Sequence, residues 1–208
     1  MKYSNDNEQK CNIAIFASGT GSNFINIYNH ILDGKIFANI NILISNNPNC
    51  KAIEFAKKNK INYKIINKFR LSNNENIEKV IGKVLIKNNI NLIVLAGYMK
   101  KIPKQIIELY PRKILNIHPA LLPKFGGKGF YGIKVHEAVI NSGEKSTGIT
   151  IHFVDNDYDT GDIIYQKEVD VLENDSAVSL SKRVLELEHK SYPVVVKEFC
   201  DKYRKELN

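Results

Sequence analysis

Cysteine is scarce. The 208 residues contain three, Cys11, Cys50 and Cys200. They are odd in number and form no Cys-x-x-Cys pair, so neither a disulfide framework nor a zinc site is indicated. No apolar stretch approaches the ~20 residues that a bilayer-spanning helix needs. The opening MKYSNDNEQK is polar and lacks the apolar centre of a signal peptide. Linkers, internal repeats and low-complexity blocks are also missing. These absences point to one soluble domain in a reducing cytoplasm with no membrane partner. Residues 1–11 are expected to be a disordered polar tail and residues 12–208 a single domain.

The composition that remains is that of a globular chain, with 43% hydrophobic and 25% charged residues. The net charge of +8 invites a nucleic-acid reading. Lysine is spread over the whole chain and not gathered into one block, which fits solvated helix faces better. No nucleic-acid partner is expected; small anionic substrates would still be attracted.

Apolar runs alternate with helical periodicity through the first half. CNIAIFASG, FANINILIS, INYKII, NLIVLAG and RKILNI read as strands. Between them, helices are expected over NFINIYNHILDG, Lys51–Asn59, Asn74–Asn89 and Pro103–Leu109. This alternation predicts a doubly wound, mostly parallel α/β sheet. Beyond it, Leu121–Ile133 is glycine-rich and aperiodic, and Lys134–Ser142 reads as a helix. Gly148–Val154 and Asp162–Val171 read as an antiparallel pair at the sheet edge. Ser176–Tyr203 reads as a helix that Pro193 kinks or breaks.

Three segments carry chemistry. The first, Ser18-Gly19-Thr20-Gly21-Ser22-Asn23, joins the first strand to the first helix. Glycines permit a tight turn, and the helix N-terminus favours an anion, so phosphate binding on Gly21, Ser22 and Asn23 is expected. A dinucleotide site is disfavoured: Phe24 stands where the third glycine belongs, and Ser45-Asn46-Asn47 replaces the usual acidic residue.

The second segment, Asn116-Ile117-His118-Pro119, ends the fifth strand. Residues two apart on a strand share a side, so Asn116 and His118 project together where α/β sheets place ligands. An amide and an imidazole suit a reaction that develops an oxyanion. A structural, hydrogen-bonded histidine is the plainer alternative.

The third segment, between His152 and Asp162, carries four carboxylates: Asp155, Asp157, Asp159 and Asp162. The spacing of a calcium loop is absent. One of the four reaching His118 would raise its pKa and orient its ring. Spacing does not choose among them, and a solvated turn is the alternative.

Taken together, these strings resemble the glycinamide ribonucleotide branch of the folate-dependent formyltransferases. The resemblance rests on Ala17-Ser18-Gly19-Thr20-Gly21-Ser22-Asn23, Val94-Leu95-Ala96-Gly97-Tyr98-Met99 and Leu115-Asn116-Ile117-His118-Pro119-Ala120-Leu121-Leu122-Pro123. It continues through Gly148–Val154, Asp159-Thr160-Gly161 and Glu188-His189-Lys190-Ser191-Tyr192-Pro193, covering residues 12–203 in order.

The resemblance implies a Rossmann-like formyltransferase fold and a co-substrate, 10-formyltetrahydrofolate, with no metal. It implies Asn116, His118 and Asp159 as the catalytic trio, and so selects Asp159 from the four acidic residues. It implies Gly21, Ser22 and Asn23 for the substrate phosphate and Glu188 for its ribose. Met99, Lys100, Lys101 and Ile102, with Asn116 and Asp159, would hold the folate, and the acidic loop would wrap the other side of its ring. Asn74 stands where the family often has an arginine for the folate tail; Arg70 or Lys68 is the substitute to hand. The glycine-rich Phe125–Val135 segment is expected to act as a lid.

Several rivals remain. A formyltetrahydrofolate hydrolase is expected to carry an additional N-terminal domain, and a tRNA formyltransferase a C-terminal one. Sugar-nucleotide formyltransferases share the Asn-x-His-Pro core without the phosphate loop. A non-catalytic folate-binding module is the alternative of another class. A monomer or a homodimer fits equally.

Overall fold

The computed structural model describes residues 9–70 and 76–207. Residues 1–8 of the expected tail and Asn74 therefore lie outside the described residues. Thirteen elements follow in order. The first nine are β1 (Cys11–Phe16), α1 (Ser22–Leu32), β2 (Ala38–Ser45), α2 (Lys51–Lys58), β3 (Tyr63–Ile65), α3 (Ile77–Lys87), β4 (Leu92–Leu95), α4 (Lys104–Leu109) and β5 (Ile114–His118). The last four are α5 (Ile133–Asn141), β6 (Ser146–Phe153), β7 (Ile163–Asp170) and α6 (Ala177–Leu207).

The strands form one seven-stranded sheet in the order β3-β2-β1-β4-β5-β6-β7. The pairs among β1 to β5 are parallel, whereas β5–β6 and β6–β7 are antiparallel. This is the doubly wound sheet with an antiparallel edge that the alternation predicts. β4 is buried at all four residues, as a central strand covered on both faces should be. One core cluster joins Ile13, Ile15 and Val94 to Phe24 of α1 and to Leu180, Val184 and Tyr192 of α6. A second, on the opposite face, joins Ala14, Phe16 and Ile93 to Ile81 of α3 and Ile106 of α4. Alternate residues of the same strands thus feed two separate cores.

Three points bear on the sequence reading. Cys11, placed in the tail, is the first residue of β1 and is buried, because it packs into the first core cluster. The third helix begins at Ile77, because the Asn76 side chain accepts from the N–H groups of Glu78 and Lys79 and so caps it; the expected start at Asn74 lies outside the described residues. Of the kink or break expected at Pro193, the break does not occur: α6 runs as one helix from Ala177 to Leu207. Proline leaves the carbonyl four residues earlier, that of His189, without its usual donor. The Asn26 amide of α1 donates to that carbonyl at 2.6 Å.

The sheet order reverses between β1 and β4, whose neighbours on their other sides are β2 and β5. Crevices that accept ligands open at the carboxyl ends of strands at such a point. Tyr192 of α6 fixes the strands beside it. Its buried hydroxyl shares one proton between the carbonyls of Leu95 (3.0 Å) and Leu115 (3.1 Å).

Candidate active site

A cavity of about 260 Å³ lies at these strand ends. Asn116 and His118 of β5 line it, together with Asp159 from the loop after β6 and Met99 to Ile102 from the loop after β4. The two-residue spacing therefore does what strand geometry requires: both β5 side chains meet in one crevice. Ile117 belongs to the core cluster beneath, although it also borders the cavity.

Asp159 is the centre of the arrangement. Its Oδ1 accepts from the Asn116 amide at 3.3 Å, and its Oδ2 accepts from Gly127 N–H at 2.9 Å. Oδ2 also stands 3.5 Å from His118 Nδ1, and Oδ1 stands 3.6 Å from His152 Nε2. Burial by itself would lift the Asp159 pKa. The rings of His152 and His118 and the Gly127 N–H outweigh it, so the carboxyl lies below its usual range. It is therefore a carboxylate at neutral pH.

The other face of His118 is fixed by backbone. Its Nε2 lies 2.8 Å from the carbonyl of Phe125. A carbonyl only accepts, so Nε2 carries the proton and Nδ1, facing Asp159, is the titrating position. The pKa of His118 is shifted downward: burial is the largest cause, opposed by Asp159 and by the Phe125 carbonyl. Asp159 raises it, as expected of an adjacent carboxylate, but the net shift is downward. The attraction of Asp159 is present, but the ring is only 4% exposed, and loss of hydration outweighs one carboxylate at 3.5 Å.

Two partners escaped the sequence reading. His152 lies on β6 directly opposite Asn116, and its Nε2 is 3.1 Å from the Asn116 amide. Its Nδ1 lies 2.8 Å from the Phe153 carbonyl, so Nε2 is the nitrogen that faces both Asn116 and Asp159. The signal was the antiparallel pairing of β5 with β6, which puts residues 150 and 152 across from 118 and 116. The Phe125–Gly127 backbone is the second partner. Phe125 has φ 55° and Gly127 φ 92°, a turn that presents one carbonyl to His118 and one N–H to Asp159. Main-chain groups leave no residue-type signal.

The glycine-rich segment borders the same cavity from Gly127 to Gly132, with Phe130 and Tyr131 partly exposed at its mouth. The last part of the expected lid, Ile133 to Val135, is already the first turn of α5. The acidic loop lines the opposite wall with Asp155, Asp157 and Tyr158. Lys101 faces that wall, with Nζ 3.5 Å from Asp157 and 5.8 Å from the centre of the Tyr158 ring. Among the described residues no group of three His, Cys, Asp or Glu side chains is arranged to hold a metal ion, and no helix is long and apolar enough to cross a membrane.

Gly21, Ser22, Asn23 and Glu188 do not line this cavity; they form a second group at the start of α1. Gly21 caps the helix at φ 72°, and a Cβ there would fall 2.8 Å from that of Ala52, so only glycine fits. The first-turn N–H groups that follow have no intrahelical acceptor. The Asn23 side chain is engaged within the protein. It donates to Glu188 Oε2 at 2.6 Å, and both residues are buried. The Asn23 Oδ1 has no partner among the described residues. Burial pushes the Glu188 carboxyl up to about 7, against the opposing hydrogen bond from Asn23.

Comparison with known proteins agrees with this architecture. Residues 11–196 match the family model described as formyl transferase. The chain is 44% identical over 190 residues to a chloroplastic phosphoribosylglycinamide formyltransferase of Arabidopsis thaliana, covering 91% of this chain and 65% of that one. It thus spans just under two thirds of that plant relative's length. It is 37% identical over 185 residues to the phosphoribosylglycinamide formyltransferase of Bacillus subtilis, covering 89% and 92% of the two chains. Glycinamide ribonucleotide transformylase 1 of Geobacillus kaustophilus superposes with a TM-score of 0.85 at 32% identity, over 92% of this chain and all of that one. The chain belongs to the formyl transferase family.

Proposed function

We propose that this chain transfers the formyl group of 10-formyltetrahydrofolate to the amine of 5'-phosphoribosylglycinamide. The products are formylglycinamide ribonucleotide and tetrahydrofolate, within purine biosynthesis. The observation that carries this reading is the meeting of Asn116, His118 and Asp159 in one cavity beside the Met99–Ile102 backbone. Relatives bearing that activity in their names support it. The protein works in the cytoplasm, as a monomer or homodimer, without nucleic acid.

The pterin lies against the backbone of Met99, Lys100, Lys101 and Ile102, with the acidic loop on its other side. The phosphate of the amine substrate rests on the N–H groups of Gly21, Ser22 and Asn23. Glu188, whose Oε2 holds the Asn23 amide, offers its other oxygen, Oε1, to the ribose. The amine nitrogen attacks the formyl carbon on N10, and the carbonyl electrons move onto oxygen. The Asn116 amide donates to this oxyanion by releasing its 3.3 Å bond to Asp159, and the His118 ring donates once Nδ1 is protonated. The negative charge forming beside His118 shifts its balance toward the protonated form. Nδ1 then takes the proton lost by the amine, with Asp159 as its counter-ion at 3.5 Å. The proton passes to N10 as the N10–C bond breaks, and His118 returns to its neutral form.

The test is tetrahydrofolate release from 10-formyltetrahydrofolate, with and without glycinamide ribonucleotide. Release that requires the amine and yields its formylated product is expected. Release at the same rate without it would replace the transferase reading with the hydrolase one.

A further inference from the structure

Three loops at the carboxyl end of the sheet meet on one side chain that has no part in the chemistry above. Ser18 follows β1, and each of its polar groups is bonded. Its N–H donates to the Gly97 carbonyl at 3.0 Å, and its carbonyl accepts from the Asn47 amide at 3.1 Å. Its hydroxyl is 2.5 Å from Asn46 Oδ1 and 2.9 Å from the Met99 nitrogen. The Met99 N–H can only donate, so the single hydroxyl proton goes to Asn46. The loop after β2 thereby orients the hydroxyl, and the hydroxyl holds the loop after β4. Ser18 is 7% exposed, so water does not readily replace these partners.

The residues on either side of this hub are those assigned to the two substrates. Gly19 to Asn23 continue from Ser18 into the phosphate loop, and Met99 opens the stretch assigned to the pterin. We infer that Ser18 is a positioning residue that couples the two substrate sites, so that each substrate tightens the binding of the other. This inference rests on the function proposed above. Its physical basis is shared ordering. A ligand that fixes one loop also fixes the other through the hydroxyl, and the second ligand then meets a loop already in place. Such coupling is reciprocal, equal in whichever order the ligands arrive.

The experiment is calorimetric titration of the full chain with glycinamide ribonucleotide and with tetrahydrofolate, each alone and with the other saturating. Tetrahydrofolate carries no formyl group, so no turnover occurs. In the wild type each ligand should tighten the other by about fivefold or more, the lower end of ordinary coupling. In Ser18→Ala that ratio should fall below about twofold, while each ligand alone binds within about threefold of the wild type. The main-chain bonds of residue 18 persist in that variant, so the strand ends stay together. Asn46→Ala is the second variant: it keeps the hydroxyl but removes the acceptor that orients it, and its ratio should fall too. If Ser18→Ala does not fold, Asn46→Ala decides the comparison. An unchanged ratio in the folded variants, with or without weaker single ligands, overturns the inference, as does a wild-type ratio of one. Failure of the wild type to bind either ligand would overturn the functional reading instead.

Discussion

Replacing Asp159 with asparagine changes one charge and almost no volume. The side chain at this position is 11% exposed and bonds to Asn116 and Gly127. Asparagine retains an oxygen for the Gly127 N–H, so the loop should stay in place and the melting temperature should move by only a few degrees. The imidazolium formed on His118 during transfer loses its counter-ion. At 3.5 Å, in a medium of effective dielectric near 20, that attraction is about 5 kcal/mol. Water entering the cavity would recover part of it, leaving a barrier increase of about 3–4 kcal/mol, or roughly 10²–10³ in rate. The assay is tetrahydrofolate formation with both substrates varied. A fall of that size in kcat, with the folate KM within a few-fold, is expected. The His118 imidazole, followed by NMR, should titrate lower still, since burial is then less opposed. Turnover within about tenfold of the wild type would refute the role of Asp159, and so would a loss confined to KM.

Two buried groups make stability depend on pH in opposite directions. His136 is lowered to about 4 by burial and by nearby His118. The unfolded chain therefore binds the extra proton first, and this contribution is complete above about pH 6.5 and lost as pH falls toward 4, roughly 3 kcal/mol in all. His136→Gln should flatten that slope in urea unfolding. Glu188, raised to about 7, has the reverse sign: its burial becomes costly as pH rises from about 4.5 to 7. Glu188→Gln should be close to neutral at pH 5 and stabilising at pH 8 by up to roughly 3 kcal/mol; equal effects at both pH values would count against an uncharged Glu188. Gly21→Ala forces a side chain into φ 72° and to 2.8 Å from the Ala52 Cβ. It should cost about 2–4 kcal/mol in denaturant unfolding and weaken phosphate-bearing ligands more than folates. An alanine variant with wild-type stability would show that the turn does not need glycine.

Much of the fold is legible in the chain because its signals are local. Apolar runs such as Leu92–Leu95 and helical periodicity such as Phe24, Ile27 and Ile31 declare their elements within a few residues. The Asn116–His118 pair is local in the same sense, since strand pleating alone puts the two on one side. Pro193 does not break α6, and its remedy is not local: the carbonyl it leaves free is met by Asn26, far away in the chain. His152 was overlooked because its role depends on the register of β6 against β5. The net shift of His118 was not legible, since a neighbouring carboxylate is visible as a residue type and the depth of burial that outweighs it is not.

The division follows the range of the forces. The sequence by itself determined the alternating elements, the turn that needs Gly21, and which polar residues stand at strand ends. Resemblance to a family added the choice of Asp159. Only the tertiary structure decided which groups face one another: Phe125 carbonyl with His118, Gly127 N–H with Asp159, His152 with Asn116, and Ser18 between the two substrate loops. Hydrogen-bond partners and desolvation are set by distances across the assembled sheet, and those distances do not exist until the chain has folded.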